Sequence, residues 1–243
     1  MRVLVYDDAQ TMSRAAATII ANEILSKENP VLGLATGSSP IETYKCLVEM
    51  YKDSVISFKN VRSFNLDEYV GLPIEHEESY HSFMKRNLFD HVDIETDAFH
   101  VPSGNTSDPT VEGHKYDQMI IESGGIDLQL LGLGQNGHIG FNEPDTSFSR
   151  GTHLVNLSEN TIEANSRFFS SIDEVPKQAI SMGILSIMNA KKILLIATGK
   201  NKSEAVKKML EGEIDPSCPA SILQTHKNVV VLLDREAASL LSE

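Results

Sequence analysis

The stretch IDLQLLGLGQNGHIGFNEP, Ile126 to Pro144, decides how this chain of 243 residues is read. Its first part, Ile126 to Leu133, is an apolar run of the length of a buried strand. The turn that follows, Gly132 to Pro144, holds four glycines, one histidine and one carboxylate. A glycine-rich turn after a buried strand is where an α/β enzyme keeps its chemistry, because glycine lets the backbone approach a ligand closely. His138 and Glu143 can meet if the turn folds back, and Asn136 adds a neutral polar group nearby.

Outward from this turn, further β-branched runs read as strands: Val3 to Tyr6, Val31 to Ala35, Val61 to Leu66, Ile193 to Thr198 and Val229 to Leu233. Between the strands, apolar residues recur at helical spacing over Met12 to Leu25, Ile41 to Tyr51, Ser79 to Asp90, Val111 to Glu122, Ile180 to Asn189 and Ser203 to Leu210. Strands apolar almost throughout are covered on both sides. The pattern predicts an α/β fold, a doubly wound, mostly parallel sheet with helices on both faces. It also predicts a single domain over 1–243. The polar, turn-rich segment 145–179, interrupted by an amphipathic piece from Ile162 to Phe169, is expected to form a mobile lid.

Composition narrows the partners. The formal net charge is -13, with 21 Lys and Arg against 34 Asp and Glu and no long basic run, which argues against nucleic acid. An anionic ligand would have to be held by a local site. Cys46 and Cys218 lie far apart, without the spacing of a zinc site or a disulfide framework, which suits a reducing cytoplasm. The amino terminus MRVLVYDD reaches acidic residues at once, and no apolar run is long enough to span a bilayer, so neither secretion nor a membrane is expected.

Three further places carry candidate chemistry. Thr36-Gly37-Ser38-Ser39-Pro40 joins a strand to a helix and could cradle a phosphate on backbone N–H groups, although it lacks the ending of a P-loop. It also reads as an ordinary turn with Ser38 or Ser39 capping the helix and Pro40 at its first position. Asp67 and Glu68, in FNLDEY, place two carboxylates where a strand reaches the crevice, and one of them could be a general base. Successive strand residues face opposite ways, so only one of the two can point at a given ligand. Arg167 and Lys202 are cations able to grip a phosphate, and each also reads as a solvated helix residue.

Taken together, TGSSP at 36–40, FNLDEY at 64–69, GLGQNGHIGFNEP at 132–144 and NSRFF at 165–169 resemble the glucosamine-6-phosphate deaminase family over nearly the whole chain. FNLDEY with HIGFNEP separates that family from the phosphogluconolactonases, its nearest look-alikes. The resemblance implies a Rossmann-like fold of the sugar-phosphate isomerase type. It also implies conversion of glucosamine 6-phosphate and water to fructose 6-phosphate and ammonia, in amino sugar breakdown, with no metal or organic cofactor. By the same resemblance His138 shuttles the proton of ring opening, Glu143 orients it, Asn136 supports it and Asp67 is the base of enolisation, with Glu68 its rival. Thr36, Gly37, Ser38, Gly137, Arg167 and Lys202 would hold the phosphate and sugar hydroxyls. The family often has Asp where this chain has Asn136.

Allosterically activated members carry basic residues after the Asn-Glu-Pro ending and a longer tail. This chain has His153 and Val155 there and ends at Glu243, so simple saturation kinetics and a monomer or small homo-oligomer are expected. Two other readings stand beside this one. A lactonase would share the phosphate grip and the histidine without needing Asp67. A non-catalytic sugar-phosphate sensor would have no use for Asp67, His138 and Glu143 together.

Overall fold

β-Branched and leucine-rich runs form the central strands because both faces of these can be buried, whereas the edge strand that opens the chain keeps Val3 and Val5 exposed, and four of the helices begin where a polar side chain closes a free N–H group. The computed structural model describes residues 1–242. In chain order its elements are β1 (Arg2–Tyr6), α1 (Ala9–Leu25), β2 (Val31–Leu34), α2 (Ile41–Lys52), β3 (Arg62–Asn65), β4 (Asp67–Tyr69), α3 (Tyr80–Asn87), β5 (Phe99–His100) and α4 (Pro109–Glu122). There follow β6 (Leu128–Gly132), β7 (His153–Asn156), α5 (Glu159–Ser166), β8 (Gln178–Ser181), α6 (Ile184–Met188), β9 (Lys192–Ala197), α7 (Ser203–Glu211) and β10 (Val229–Asp234). Asp8, Ser79, Asp108 and Ser158 cap α1, α3, α4 and α5 by accepting backbone N–H bonds.

Seven strands form one sheet in the order β1-β10-β9-β6-β2-β3-β5, and every pairing in it is parallel. The chain runs outward from β2 through β3 to β5 and then returns to β6 on the other side of β2. The loops leaving β2 and β6 therefore diverge, and a crevice opens between them at the carboxyl edge. A second sheet, antiparallel, has the order β4-β8-β7. Leu66 joins the two: its N–H donates to Leu34 at 3.0 Å in the large sheet, and its carbonyl accepts from Met182 at 2.7 Å beside the small one. A separate apolar cluster of Tyr69, Phe141, Leu157 and Ala179 packs the small sheet.

Two expectations are corrected. The helix read over Ile180 to Asn189 is a strand followed by a shorter helix, β8 and then α6. Apolar residues at 180, 184 and 187 suit either element, and pairing of β8 with both β4 and β7 decides it. The second concerns the amphipathic piece read from Ile162 to Phe169 within 145–179: its helix, α5, runs from Glu159 to Ser166 because Ser158 caps it there, and the segment also contributes β7 and half of β8.

Helix α4 clamps this segment. Asp117 accepts the Thr152 N–H at 2.8 Å and its hydroxyl at 2.6 Å, and also the Ser186 hydroxyl at 2.9 Å. The close approach needs Gly113, where a Cβ would lie 2.1 Å from the Thr152 carbonyl oxygen. Gly113→Ala would gain about 1 kcal/mol on an open helix. Here it is expected to lower the melting temperature by several degrees; an unchanged or raised value in calorimetry would contradict this packing.

Candidate active site

The loops bounding the crevice touch at their bases, since a Cβ on Gly132 would be 3.8 Å from the Ser39 hydroxyl. After β6 the chain turns back on itself. The Gly134 N–H donates to the His138 carbonyl at 2.9 Å, and Ile139 bridges Asn142. Only glycine fits at 134, because the His138 ring lies across it, with Nδ1 2.3 Å from where a Cβ would stand. Buried Asn142 pins the turn from below. Its amide donates at 2.8 Å to both the Ile139 and Met182 carbonyls, and its oxygen accepts from Ser149 at 2.5 Å.

The sequence-predicted His138, Asn136 and Glu143 are in contact. His138 Nδ1 is 2.7 Å from Asn136 Oδ1 and 3.5 Å from Glu143 Oε2. The Asn136 amide is oriented by its other bonds, since Oδ1 accepts the His138 N–H at 3.2 Å and Nδ2 donates to Glu143 at 2.6 Å. An oxygen facing Nδ1 requires a proton on Nδ1, so that Nε2 is the nitrogen left to exchange one with a ligand. On the far side of Glu143, Oε1 accepts from Ser158 at 3.1 Å and from the Thr161 hydroxyl. Burial alone would raise the Glu143 carboxyl, but the hydrogen bond and charge of His138, with Thr161 and Asn136, bring it down to about 2. Glu143 is therefore an anion at every working pH.

Asp67 opens β4, its Oδ2 3.6 Å from the Cβ position of Gly140 in the same turn. Burial, then the charge of Glu68, push its carboxyl up to about 8 against a hydrogen bond from Thr36. Asp127, at the other end of the sheet, shows what a buried structural aspartate looks like. It takes Lys27 at 2.5 Å, Lys191 at 2.8 Å and the Val31 N–H at 2.9 Å, and these partners hold it below the usual range despite burial. Among the described residues Asp67 has no cation within ion-pair distance. Glu68 points away, as strand alternation requires, and accepts the N–H groups of Tyr69, Tyr80 and His81 at 2.8 to 2.9 Å at the start of α3. Its carboxylate is occupied by the backbone.

On the β2 loop, Thr36 and Gly37 are half-buried and Ser38 is exposed. Neither serine caps α2. Pro40 takes the cap position and no side chain bonds the first turn, so the helix presents open N–H groups to the crevice. Gly137, at φ 87°, gives its carbonyl to the Ala220 N–H at 2.9 Å. Arg167 ends α5, with its guanidinium 4.7 Å above the Phe168 ring. Burial, and then the charge of Arg167, lower the Lys202 ammonium, so the two cations lie near one another. Among the described residues neither has a carboxylate within ion-pair distance, which leaves both able to receive an anion.

A hollow of about 360 Å³ lies behind Glu143, bounded by Phe141, Phe148, His153, Val155 and Pro216, and no lysine or arginine lines it. Asp67 and His138 are not part of its wall. Among the described residues no three His, Cys, Asp or Glu side chains are grouped to hold a metal, and no helix is long and apolar enough to cross a membrane. Sequence reasoning passed over Asn142, Ser158 and Thr161. The first lay inside the quoted motif, and the Ser-x-x-Thr spacing of the others signalled only a helix cap.

The chain matches the family described as glucosamine-6-phosphate isomerases/6-phosphogluconolactonase over residues 7–232. It is 53% identical over 242 residues to a glucosamine-6-phosphate deaminase of Clostridium botulinum, covering 100% of this chain and 99% of that one. A glucosamine-6-phosphate deaminase of Bacillus pumilus is 52% identical over 240 residues, covering 99% and 100%. Among solved structures, a monomeric glucosamine-6-phosphate deaminase superposes with a TM-score of 0.96 at 48% identity, covering 99% of this chain and 100% of that one. A 6-phosphogluconolactonase from Trypanosoma brucei shares the fold, with a TM-score of 0.78 at 21% identity, covering 99% and 98%.

Proposed function

The chain belongs to the family of glucosamine-6-phosphate isomerases and 6-phosphogluconolactonases, and we propose from its site that within this family it is a glucosamine-6-phosphate deaminase. The observation that carries the choice is Asp67. A buried carboxylate without a cation, its pKa raised to about 8, is a base fit to take a proton from carbon near neutral pH. Lactone hydrolysis has no use for such a group.

The phosphate of glucosamine 6-phosphate is held by the open N–H groups before α2 with Thr36, Gly37 and Ser38, by Gly137, and by Arg167 and Lys202. Arg167 belongs to the segment 145–179, whose closure over the crevice would complete the grip. His138 Nε2 takes the proton of the C1 hydroxyl and returns it to the ring oxygen, opening the sugar. The developing imidazolium is stabilised by Glu143, 3.5 Å from Nδ1, while Asn136 fixes the ring's orientation. Asp67 then removes the C2 proton while O1 takes one from water, giving an enolamine, and delivers its proton to C1 as the amine gives one back to water. The resulting C2 imine adds water and expels ammonia, leaving the ketone of fructose 6-phosphate. Every atom is accounted for by substrate and one water, so in this reading the enzyme works without metal or organic cofactor. Its setting would be the cytoplasm, as a monomer or small homo-oligomer.

The test is release of ammonia and fructose 6-phosphate from glucosamine 6-phosphate by purified, chelator-treated protein, with 6-phosphogluconolactone assayed in parallel. Equal amounts of the two products are expected, rising hyperbolically with substrate, since the hollow behind Glu143 offers no lysine or arginine to an anionic activator. Lactone hydrolysis without ammonia would assign the chain to the other branch of the family.

A further inference from the structure

Glu143 is held from two sides, and the second side has no part in the mechanism above. Its Oε2 faces Asn136 and His138, whereas Oε1 accepts from Ser158 at 3.1 Å and from the Thr161 hydroxyl, both at the amino end of α5. Ser158 is tied into the same knot, since it also accepts the Thr161 N–H at 3.3 Å and lies 3.1 Å from its hydroxyl. Thr161 is only 7% exposed, so these bonds are not exchanged freely for water. At its other end α5 finishes at Arg167, whose charge is felt at Lys202. Arg167 lies six positions beyond Thr161, roughly 9 Å along the axis. A single short rod thus carries a phosphate ligand at one end and the hydroxyls that orient a catalytic carboxylate at the other.

We propose that Thr161 and Ser158 are positioning residues for Glu143, and that α5 transmits capture of the phosphate at Arg167 to the carboxylate that serves ring opening. This rests on the deaminase reading for the identity of the reaction, but the coupling itself concerns only phosphate and helix. When Arg167 closes on the phosphate, α5 is fixed, and its two hydroxyls hold Oε1 so that Oε2 stays against the His138–Asn136 pair. The coupling runs both ways, because a helix anchored to Glu143 presents Arg167 already oriented.

Thr161→Val keeps the shape of the side chain and removes the hydroxyl. In the full-length protein it is expected to lower kcat about tenfold, the effect of losing one hydrogen bond to a charged group, and to raise KM severalfold with the loss of phosphate affinity. It is also expected to weaken binding of inorganic phosphate, measured by calorimetry, severalfold, although Thr161 touches no phosphate in this reading. Thr161→Ser restores both. Arg167→Ala lowers kcat in the wild type and adds little further loss of kcat in Thr161→Val, since the link is already cut. Wild-type phosphate affinity in Thr161→Val, losses of kcat that multiply in the double variant, or failure of Thr161→Ser to restore either value would overturn the proposal. If the wild type releases no ammonia, the phosphate affinities decide alone: weakened in Thr161→Val and restored in Thr161→Ser upholds the coupling, and equal affinities refute it.

Discussion

Asp67→Asn is expected to slow deamination about a thousandfold while making the protein more resistant to heat at pH 8. Both effects follow from one carboxyl group. In the folded chain burial raises its pKa from 3.8 to about 8, so folding favours the protonated form. The stability this provides is complete below pH 4 and is lost as the pH rises through 8, where the buried group must ionise without a cation. The neutral amide escapes that loss, a gain on the order of a few kcal/mol that should raise the melting temperature by roughly 5 °C. At pH 4, where the aspartic acid is already neutral, the two proteins should melt alike. Wild-type kcat/KM should rise about tenfold per pH unit up to pH 8 and then level, as the ionised fraction of the base grows. A melting temperature that falls in the variant at pH 8 would show that Asp67 is a structural ion, as Asp127 is.

His138→Gln is expected to cost about 10²- to 10⁴-fold in kcat, with KM changed only a few-fold. The glutamine can hold one hydrogen bond to Asn136 but cannot carry a proton from the C1 hydroxyl to the ring oxygen. An open-chain, reduced analogue of the substrate has no ring to open, so its affinity should be the same for wild type and variant. Loss of that affinity would mean that the histidine binds rather than reacts.

Much of this was legible in the sequence, and the exceptions have physical causes. Four of the six strands read from the sequence, β2, β6, β9 and β10, stood out because they are apolar enough to be buried on both faces. Their order was hidden, since it depends on which way each crossover turns. The small sheet was missed because β4 has three residues and β8 four, too few to show a period, and Ile180 and Ser181 also fit the helix that follows. Within the site, alternation along a strand already separated Asp67 from Glu68, and the structure gives Glu68 its own task at the start of α3. Asn136 could be read as a support because it lies two residues from His138. Ser158 and Thr161 could not, for they reach Glu143 only after the chain has passed through β7 and returned. The approach of Arg167 to Lys202 was likewise invisible without the family's pattern, since it joins the ends of two helices far apart in sequence.

Leu66 spans two sheets with a single peptide unit on either side, and Asp67 follows it directly in the chain. The height of the Asp67 carboxylate above the large sheet is thus fixed by covalent geometry rather than by a loop that could settle at several lengths. In a loop that makes no bond to the site the chain can lengthen or shorten, and the reacting groups need not notice. Between 65 and 67 it cannot: one added residue would reverse the facing of everything beyond it, turning Glu68 inward and Asp67 out. In a lineage where loops drift freely, this is the joint at which insertion and activity are incompatible.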